Sequence, residues 1–170
     1  MAIDKHIVLI GFMGAGKTTI GRELSGALRL PFFDNDAWVR AESGLSIPKI
    51  FENEGEKGFR TRESVALLRI LQCEVGVVST GGGIVSTILG RETLKECGAD
   101  IVFLRVGFET AESRVQEDPD NIRPLFEDLA IAKERFYERQ PWYEEVATFT
   151  VEASGRVDFI VNKIVDFAQA

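Results

Sequence analysis

The chain has 170 residues, of which 45% are hydrophobic and 28% charged, and its formal net charge is −7. This length and composition predict one soluble domain with enough apolar side chains for a single core. We expect neither nucleic acid nor an anionic membrane as a partner, because both require clustered positive charge and the chain has no run of lysines and arginines. A few arginines in a local pocket can still bind a small anion.

Metal sites of the zinc type and a disulfide framework are not expected. Cys73 and Cys97 are isolated, no CxxC spacing is present, and His6 is the sole histidine of the sequence. The segment MAIDKHIVLI lacks a basic region followed by a long apolar run, and no apolar run is long enough to cross a bilayer. We therefore expect a cytoplasmic protein.

Strand-like and helix-like apolar patterns alternate along the chain. Helical spacing occurs at Ile20, Leu24 and Leu28, at Val65, Leu68 and Leu71, and over residues 157–168. This alternation predicts an α/β fold with a parallel sheet and helices on both faces. The short runs that predict buried strands are Ile7–Ile10, Phe32–Phe33, Val75–Val78, Ile101–Val106 and Phe149–Val151.

Two segments interrupt these patterns. Residues 116–128 are polar, contain two prolines and predict a mobile loop. Pro141 stands within an otherwise helical stretch, so we expect a helix to end or kink near Arg139.

The segment GFMGAGKTT, Gly11–Thr19, follows the first strand and fits the P-loop pattern G-x-x-x-x-G-K-[ST]. Its glycines let backbone N–H groups surround phosphate oxygens, and the helix that follows directs its positive end at the same anion. In this pattern Lys17 reaches the outer phosphates and Thr18 offers a hydroxyl to Mg²⁺. The segment predicts a binding site for a nucleoside triphosphate.

Other polar segments follow the next strands and are expected at the same edge of the sheet. Asp34 and Asp36 come after the second strand, where paired carboxylates can hold Mg²⁺ and accept a proton from a substrate hydroxyl. Asn35 or Asp36 could instead simply cap the next helix. Three glycines, residues 81–83, follow the third strand and indicate either a close backbone approach to a ligand or a tight turn.

Arg60 and Arg139 are candidate anion ligands, since a guanidinium matches a carboxylate or a phosphate with two parallel hydrogen bonds. Glu63 lies three residues after Arg60, on the same helical face, and could hold its guanidinium in place. A solvated position is the alternative for each arginine. The sequence alone does not show that the two arginines meet.

The whole chain resembles the shikimate kinases. The resemblance rests on GFMGAGKTT, FFDNDAWVRAESGLSIPKIFENEGEKGFRTRES, VVSTGGGIV, RPLF and RQPWYEEVA, which occur in the family's order and approximate spacing. It implies a three-layer P-loop fold of the nucleoside-monophosphate-kinase type, as one domain over 1–170, with a five-stranded parallel sheet. It also implies a substrate-binding region at about 35–64 and a lid at about 116–126.

The resemblance implies ATP-dependent phosphorylation of the 3-hydroxyl of shikimate, which serves the synthesis of chorismate and the aromatic amino acids. Lys17, Asp36 and Arg123 are the expected catalytic residues. Thr18 and Asp34 are the expected Mg²⁺ ligands. Shikimate is expected to contact Asp36, Arg60, Gly82 and Arg139. The expected nucleotide-binding residues are Gly14, Ala15, Gly16, Lys17, Thr18, Thr19, Arg114, Arg123 and Arg156.

We also expect a monomer. Two alternatives stay open at this point: a kinase for another small polyhydroxy acid, and a non-catalytic descendant that only binds a ligand. Ser79 and Thr80 depart from expectation, because a more apolar residue is expected next to Gly81.

Overall fold

The computed structural model describes residues 3–117 and 128–170. Five strands are present in that part of the chain: β1 Ile7–Ile10, β2 Phe32–Asp34, β3 Val77–Ser79, β4 Asp100–Arg105 and β5 Phe149–Glu152. They form one sheet in the order β2-β3-β1-β4-β5, and every pair is parallel. The predicted α/β class is confirmed.

The third strand begins two residues later than predicted. The Gly76 N–H donates to Nδ1 of His6 at 3.2 Å, and strand pairing starts with Val77, whose N–H donates to the Pro31 carbonyl at 2.9 Å. The predicted strand therefore began too early, because the Gly76 N–H bonds a side chain and regular strand pairing begins at the next residue.

Helices connect the strands. The C-terminal helix has the predicted bounds and packs against the first helix, and its Ile160, Val161 and Ile164 are buried. A short 3₁₀ helix spans Ile84–Ser86. The α-helices are α1 Lys17–Leu28, α2 Asn35–Ser43, α3 Ile47–Ile70, α4 Ile88–Glu96, α5 Phe108–Gln116, α6 Leu129–Val146 and α7 Val157–Ala168.

The core is centred on β1, the middle strand, whose four residues are all completely buried. A central parallel strand is covered on both faces, which explains its continuous apolar sequence. A smaller apolar cluster of Val39, Ile50, Phe59 and Ala66 joins α2 to α3. This cluster fixes the two helices beside the carboxyl end of β2.

The predicted apolar face of α3 is wrong. Val65 and Leu68 are 38% and 45% exposed, whereas Ala66, Leu67 and Ile70 are buried. The buried face also carries Glu63, and this charged residue interrupts the apolar spacing from which the face would be predicted.

Of the helix end or kink predicted near Arg139, the end is wrong, because α6 continues through Pro141 to Val146. Proline removes one backbone donor, and that loss can be tolerated where packing holds the helix. Tyr143 and Val146, beyond the proline, are both buried in the main core.

Gly55 interrupts α3 with φ 70° and ψ −180°, a conformation that only glycine adopts readily. Residues 47–54 and 56–70 are thus two helical segments joined at a kink. The second segment carries Arg60 and Glu63. None of the helices described in 3–117 and 128–170 has the length and apolarity needed to cross a bilayer.

Candidate active site

The loops after β1, β2 and β3 meet around a cavity of about 380 Å³ at the carboxyl edge of the sheet. This edge is where open α/β sheets bind their ligands. The lining combines Thr18 and neighbouring P-loop residues, the carboxylates Asp34 and Asp36, the loop of residues 79–82, and Arg114. The predicted convergence of these segments is therefore present in the fold.

The P-loop has the backbone that phosphate binding requires. Gly11, Gly14 and Gly16 have φ values of 147°, 81° and 89°. A Cβ at Gly14 would overlap the Ala111 carbonyl, so glycine is needed there for space as well as conformation. Gly16 precedes α1 in the left-handed conformation, which turns the first N–H groups of the helix towards the loop.

Lys17 lies over this loop. Its Nζ donates to the carbonyls of Gly11 at 2.8 Å and Phe12 at 2.9 Å, and the residue is 9% exposed. The ammonium group therefore sits beside the backbone curl in which phosphate oxygens would bind. Low exposure strengthens its interaction with an anion, since the surrounding dielectric is lower than that of water.

Asp34 ends β2 and caps α2, and its Oδ1 accepts the Ala37 N–H at 2.9 Å. The expectation that Asn35 or Asp36 caps this helix is wrong, because the chain turns into the helix one residue earlier. Asp36 lies in the first turn of α2. Both carboxylates nevertheless face the cavity with Lys17 and Thr18.

Oxygen ligands of this kind suit Mg²⁺, which is commonly held by one or two carboxylates together with substrate phosphates. Thr18 and Asp34 are separate oxygen donors on neighbouring loops of the cavity. The described residues contain no cluster of three or more His, Cys, Asp or Glu side chains suited to a metal. The donor set therefore fits a metal that arrives with a nucleotide.

The three glycines after β3 are packed against functional side chains. A Cβ at Gly81 would overlap the Glu63 carboxylate, and one at Gly83 would overlap the Arg60 guanidinium. A Cβ at Gly82 would lie 3.1 Å from the Met13 backbone nitrogen of the P-loop. This crowding supports close approach rather than a simple tight turn.

The contacts of Thr80 explain why a polar residue stands directly before Gly81. Its hydroxyl donates to the Leu9 carbonyl at 2.9 Å, and its N–H points to the same oxygen at 3.2 Å. Thr80 is buried and binds the end of β3 to β1. The polar side chain therefore extends the pairing of the two strands towards the glycine loop.

Arg60 and Arg139 flank this glycine loop, which the sequence alone could not show. Arg60 contacts Glu63 with Nη1 at 2.5 Å from Oε2, and Arg139 donates from Nη1 to the Gly82 carbonyl at 3.4 Å. The Nε–H groups of both arginines are buried and donate to no acceptor within the described part of the chain. Buried donors of this kind are costly unless something pairs with them, so the pair favours an anion.

The two guanidinium groups also repel each other. Burial lowers the pKa of Arg139, and the nearby charge of Arg60 lowers it further. Glu63 offsets only part of this charge, because it is one carboxylate between two arginines. A bound carboxylate would supply the second negative charge.

Glu63 is completely buried, and its position beside Arg60 confirms the predicted contact. Burial raises the pKa of this carboxyl to about 7, with Asp36 raising it further, while Arg60 and Arg139 oppose the shift. The carboxyl therefore titrates near neutral pH. Asn35 supports the same segment, since its Nδ2 donates to the Glu63 carbonyl at 3.1 Å.

This shift predicts a change in stability with pH. Below the ordinary value of 4.5 the carboxyl is protonated in both folded and unfolded chains, and its contribution is fully present. As the pH rises from 4.5 towards 7, the unfolded chain ionises this carboxyl while the folded protein keeps it protonated, so wild type should lose stability relative to Glu63→Gln, and the loss is complete once the pH has passed about 7. The difference in melting temperature, wild type minus Glu63→Gln, should fall between pH 5 and about pH 7 and level off above that in circular dichroism scans. A constant difference would contradict the shift.

Some of the residues predicted to bind the nucleotide line the cavity and others do not. Arg114 lines the cavity, and its Nη2 donates to the Ala153 carbonyl at 2.8 Å. Arg156 does not line it, because its side chain is 84% exposed and pairs with Asp158 at 2.6 Å. The expected lining residues Gly14, Gly16, Lys17, Thr18 and Thr19 are present, whereas Ala15 is buried and does not line the cavity.

Arg123 and most of the predicted lid, 116–126, lie outside the described residues.

Tyr143 is a site residue that the sequence reasoning did not identify. It is completely buried and its hydroxyl donates to the Gly82 carbonyl. Its spacing of four residues from Arg139 was the available signal, because such residues share one helical face.

Comparison with known proteins gives a consistent picture. A family model described as Shikimate kinase matches residues 13–169. The shikimate kinase of Thioalkalivibrio sulfidiphilus is 44% identical over 156 residues, which are 89% of this chain and 80% of that protein. The shikimate kinase of Neisseria gonorrhoeae is 41% identical over 151 residues, with 87% of each chain covered.

Solved structures agree. The shikimate kinase of Acinetobacter baumannii in complex with shikimate superposes with a TM-score of 0.88 at 37% identity, covering 97% of this chain and 93% of that one. A gluconokinase from Sinorhizobium meliloti, with a TM-score of 0.69 and 18% identity over 99% of this chain and 94% of that one, shares the fold alone.

Proposed function

The chain belongs to the shikimate kinase family, and we propose that it transfers the γ-phosphate of ATP to the 3-hydroxyl of shikimate, giving shikimate 3-phosphate and ADP. ATP and Mg²⁺ are the cofactors of this reaction. The product leads to chorismate and the aromatic amino acids. We further propose a cytoplasmic monomer whose one domain spans the chain.

One observation carries the choice of substrate. Arg60 and Arg139 present buried Nε donors beside the glycine loop, and that loop lies against the P-loop through Gly82. A carboxylate site therefore adjoins a triphosphate site. Shikimate has one carboxylate and several hydroxyls, which suits an arginine pair on one side and Asp36 on the other.

The residues divide the reaction between them. Lys17 and the P-loop N–H groups hold and stabilise the outer phosphates, while Thr18 and Asp34 would hold Mg²⁺, which neutralises phosphate charge when bound. Asp36 orients the attacking hydroxyl and can accept its proton. Arg114 supports the P-loop from the nucleotide side through the Gly14 carbonyl at 3.3 Å.

A coupled assay of ADP release tests the proposal. With MgATP and purified protein, shikimate should raise the rate far above the background hydrolysis of ATP. Gluconate at the same concentration is the control for any other small polyhydroxy acid. It should not raise the rate. A shikimate-independent rate, or an equal response to gluconate, would contradict the proposed substrate.

Gly83→Ala gives a structural test of the carboxylate site. The added methyl group would overlap the Arg60 guanidinium, which must then move. The affinity for shikimate should fall about tenfold, the scale of one weakened charge-assisted contact, while ATP binding stays near wild type. Isothermal titration calorimetry with shikimate and with ATP measures the two affinities.

Gly26→Ala is the matched control, because nothing lies within 4 Å of its added methyl group. Gly26 is inside α1, so the control should fold at least as stably as wild type. Unchanged shikimate affinity in Gly83→Ala would remove Arg60 from the proposed contact.

A further inference from the structure

Tyr143 occupies a position that packing alone does not explain. Its ring is completely buried and stacks on Phe103 of β4, with ring centroids 5.0 Å apart and an angle of 23°. A phenylalanine would fill this space equally well. The hydroxyl is what distinguishes the residue, and it donates to the carbonyl of Gly82.

That carbonyl is shared with Arg139. The arginine Nη1 donates to the same oxygen at 3.4 Å, from one turn earlier on α6. On its other side Gly82 lies against the P-loop, so closely that a Cβ at this position would be 3.1 Å from the Met13 backbone nitrogen. The Gly82 peptide is thus held between α6 and the phosphate-binding loop.

The direction of this peptide affects the proposed carboxylate site. The described peptide bonds are trans, so the Gly82 carbonyl and the following Gly83 N–H point in opposite directions. A hydrogen bond from α6 to the carbonyl therefore fixes where the Gly83 N–H points. The same bond sets the position of the acceptor against which the Arg139 guanidinium rests.

We propose that Tyr143 is a positioning residue for substrate binding, whose hydroxyl fixes the Gly82–Gly83 peptide and, through the shared carbonyl, the Arg139 guanidinium. The inference rests on the proposed function, since it concerns the carboxylate end of shikimate. Burial raises the pKa of the Tyr143 hydroxyl, which keeps it a donor across the working range of pH.

Tyr143→Phe removes the hydroxyl and keeps the ring. We expect the KM for shikimate to rise about three- to tenfold, as for the loss of one neutral hydrogen bond, with the KM for ATP unchanged. Thr148→Val is the matched control. The Thr148 hydroxyl also donates to a backbone carbonyl, that of Ile101 at 3.0 Å, but at the opposite edge of the sheet.

Both variants should lose some thermal stability, about 2–4 °C, because each loses a hydroxyl hydrogen bond to a backbone carbonyl. Only Tyr143→Phe should change the KM for shikimate. If both variants or neither change it, Tyr143 acts on stability alone and the inference is overturned.

A double-mutant cycle with Arg139→Lys gives a readout that a purely structural role would not produce. Residues that act independently have effects on shikimate affinity that multiply. Because both side chains act through the Gly82 carbonyl, the double variant should lose at least about threefold less affinity than the product of the single losses. A simple product would overturn the inference.

If Tyr143→Phe does not fold, fluorotyrosine provides a second measurement. The sequence has two tyrosines, so labelling Tyr137→Phe protein places one fluorine probe at residue 143. Its fluorine resonance should move saturably as shikimate is added, and no movement would overturn the inference. A wild-type protein without shikimate kinase activity would overturn the proposed function and this inference together, whereas active wild type with unaltered Tyr143→Phe overturns the inference alone.

Discussion

Lys17→Ala is expected to lower kcat about 10²–10³-fold, the typical cost of removing one donor that stabilises developing charge. Phosphoryl transfer depends on positioning and charge stabilisation more than on covalent chemistry by the protein. The Lys17 ammonium lies against the P-loop carbonyls of Gly11 and Phe12 and is almost fully buried, so no mobile surface lysine can replace it. Steady-state kinetics with saturating ATP and shikimate measures the loss.

The protein should remain folded, because the backbone conformation of the loop is set by its positive-φ glycines. Lys163→Ala is the matched control. It removes an exposed lysine of α7 that lies over Phe159, away from the cavity. Near-normal turnover in a folded Lys17→Ala protein would contradict the P-loop assignment.

Arg60→Lys and Arg139→Lys should each weaken shikimate binding by about 10- to 150-fold, equivalent to roughly 1.5–3 kcal/mol. Lysine keeps the positive charge but loses the planar fork that matches a carboxylate. Both arginines are largely buried, so solvent cannot readily replace the lost hydrogen bonds. Calorimetric titration should show nearly constant affinity for ATP.

The amide of shikimate separates carboxylate recognition from a structural role of Arg60. It lacks the charge that the arginine pair is proposed to bind, so wild type should use it poorly. Arg60→Lys should reduce affinity for the amide much less than for the acid, because the interaction being removed is already weakened. Equal losses for acid and amide would show that Arg60 does not bind the carboxylate.

The sequence predicted those features that depend on local pattern. The five strands are all present because buried parallel strands have continuous apolar sequences, as in Ile7–Ile10. The P-loop was predictable since its glycines and lysine have fixed spacing between a strand and a helix. Topology then brings the ends of parallel strands to one edge, which places Asp34, Asp36 and the glycine loop around one cavity.

Features that depend on tertiary contacts were not predictable. The buried face of α3 contains Glu63, whose polarity hides the stripe, and its carboxyl is acceptable there because Arg60 pairs with it. Pro141 does not end α6, because packing of Tyr143 and Val146 outweighs the lost backbone bond. The meeting of Arg60 and Arg139 depends on two helices far apart in sequence, and no local signal contains that information.

The position of Arg156 was also not predictable from the sequence. A basic residue near the start of α7 could turn towards the nucleotide or towards solvent, and the sequence does not distinguish these directions. Asp158 lies two residues further on and pairs with the guanidinium, which leaves the side chain 84% exposed. Gly155 and Val157, on either side of it, line the cavity instead.

The central claim is that the γ-phosphate is transferred to the 3-hydroxyl of shikimate. The most direct measurement is phosphorus NMR of a reaction containing the protein, MgATP and shikimate, with proton–phosphorus correlation to locate the new ester. The account predicts one phosphate monoester coupled to the proton on carbon 3, formed in equal amount with ADP. Inorganic phosphate as the sole product beside ADP, or an ester at another hydroxyl, would contradict it.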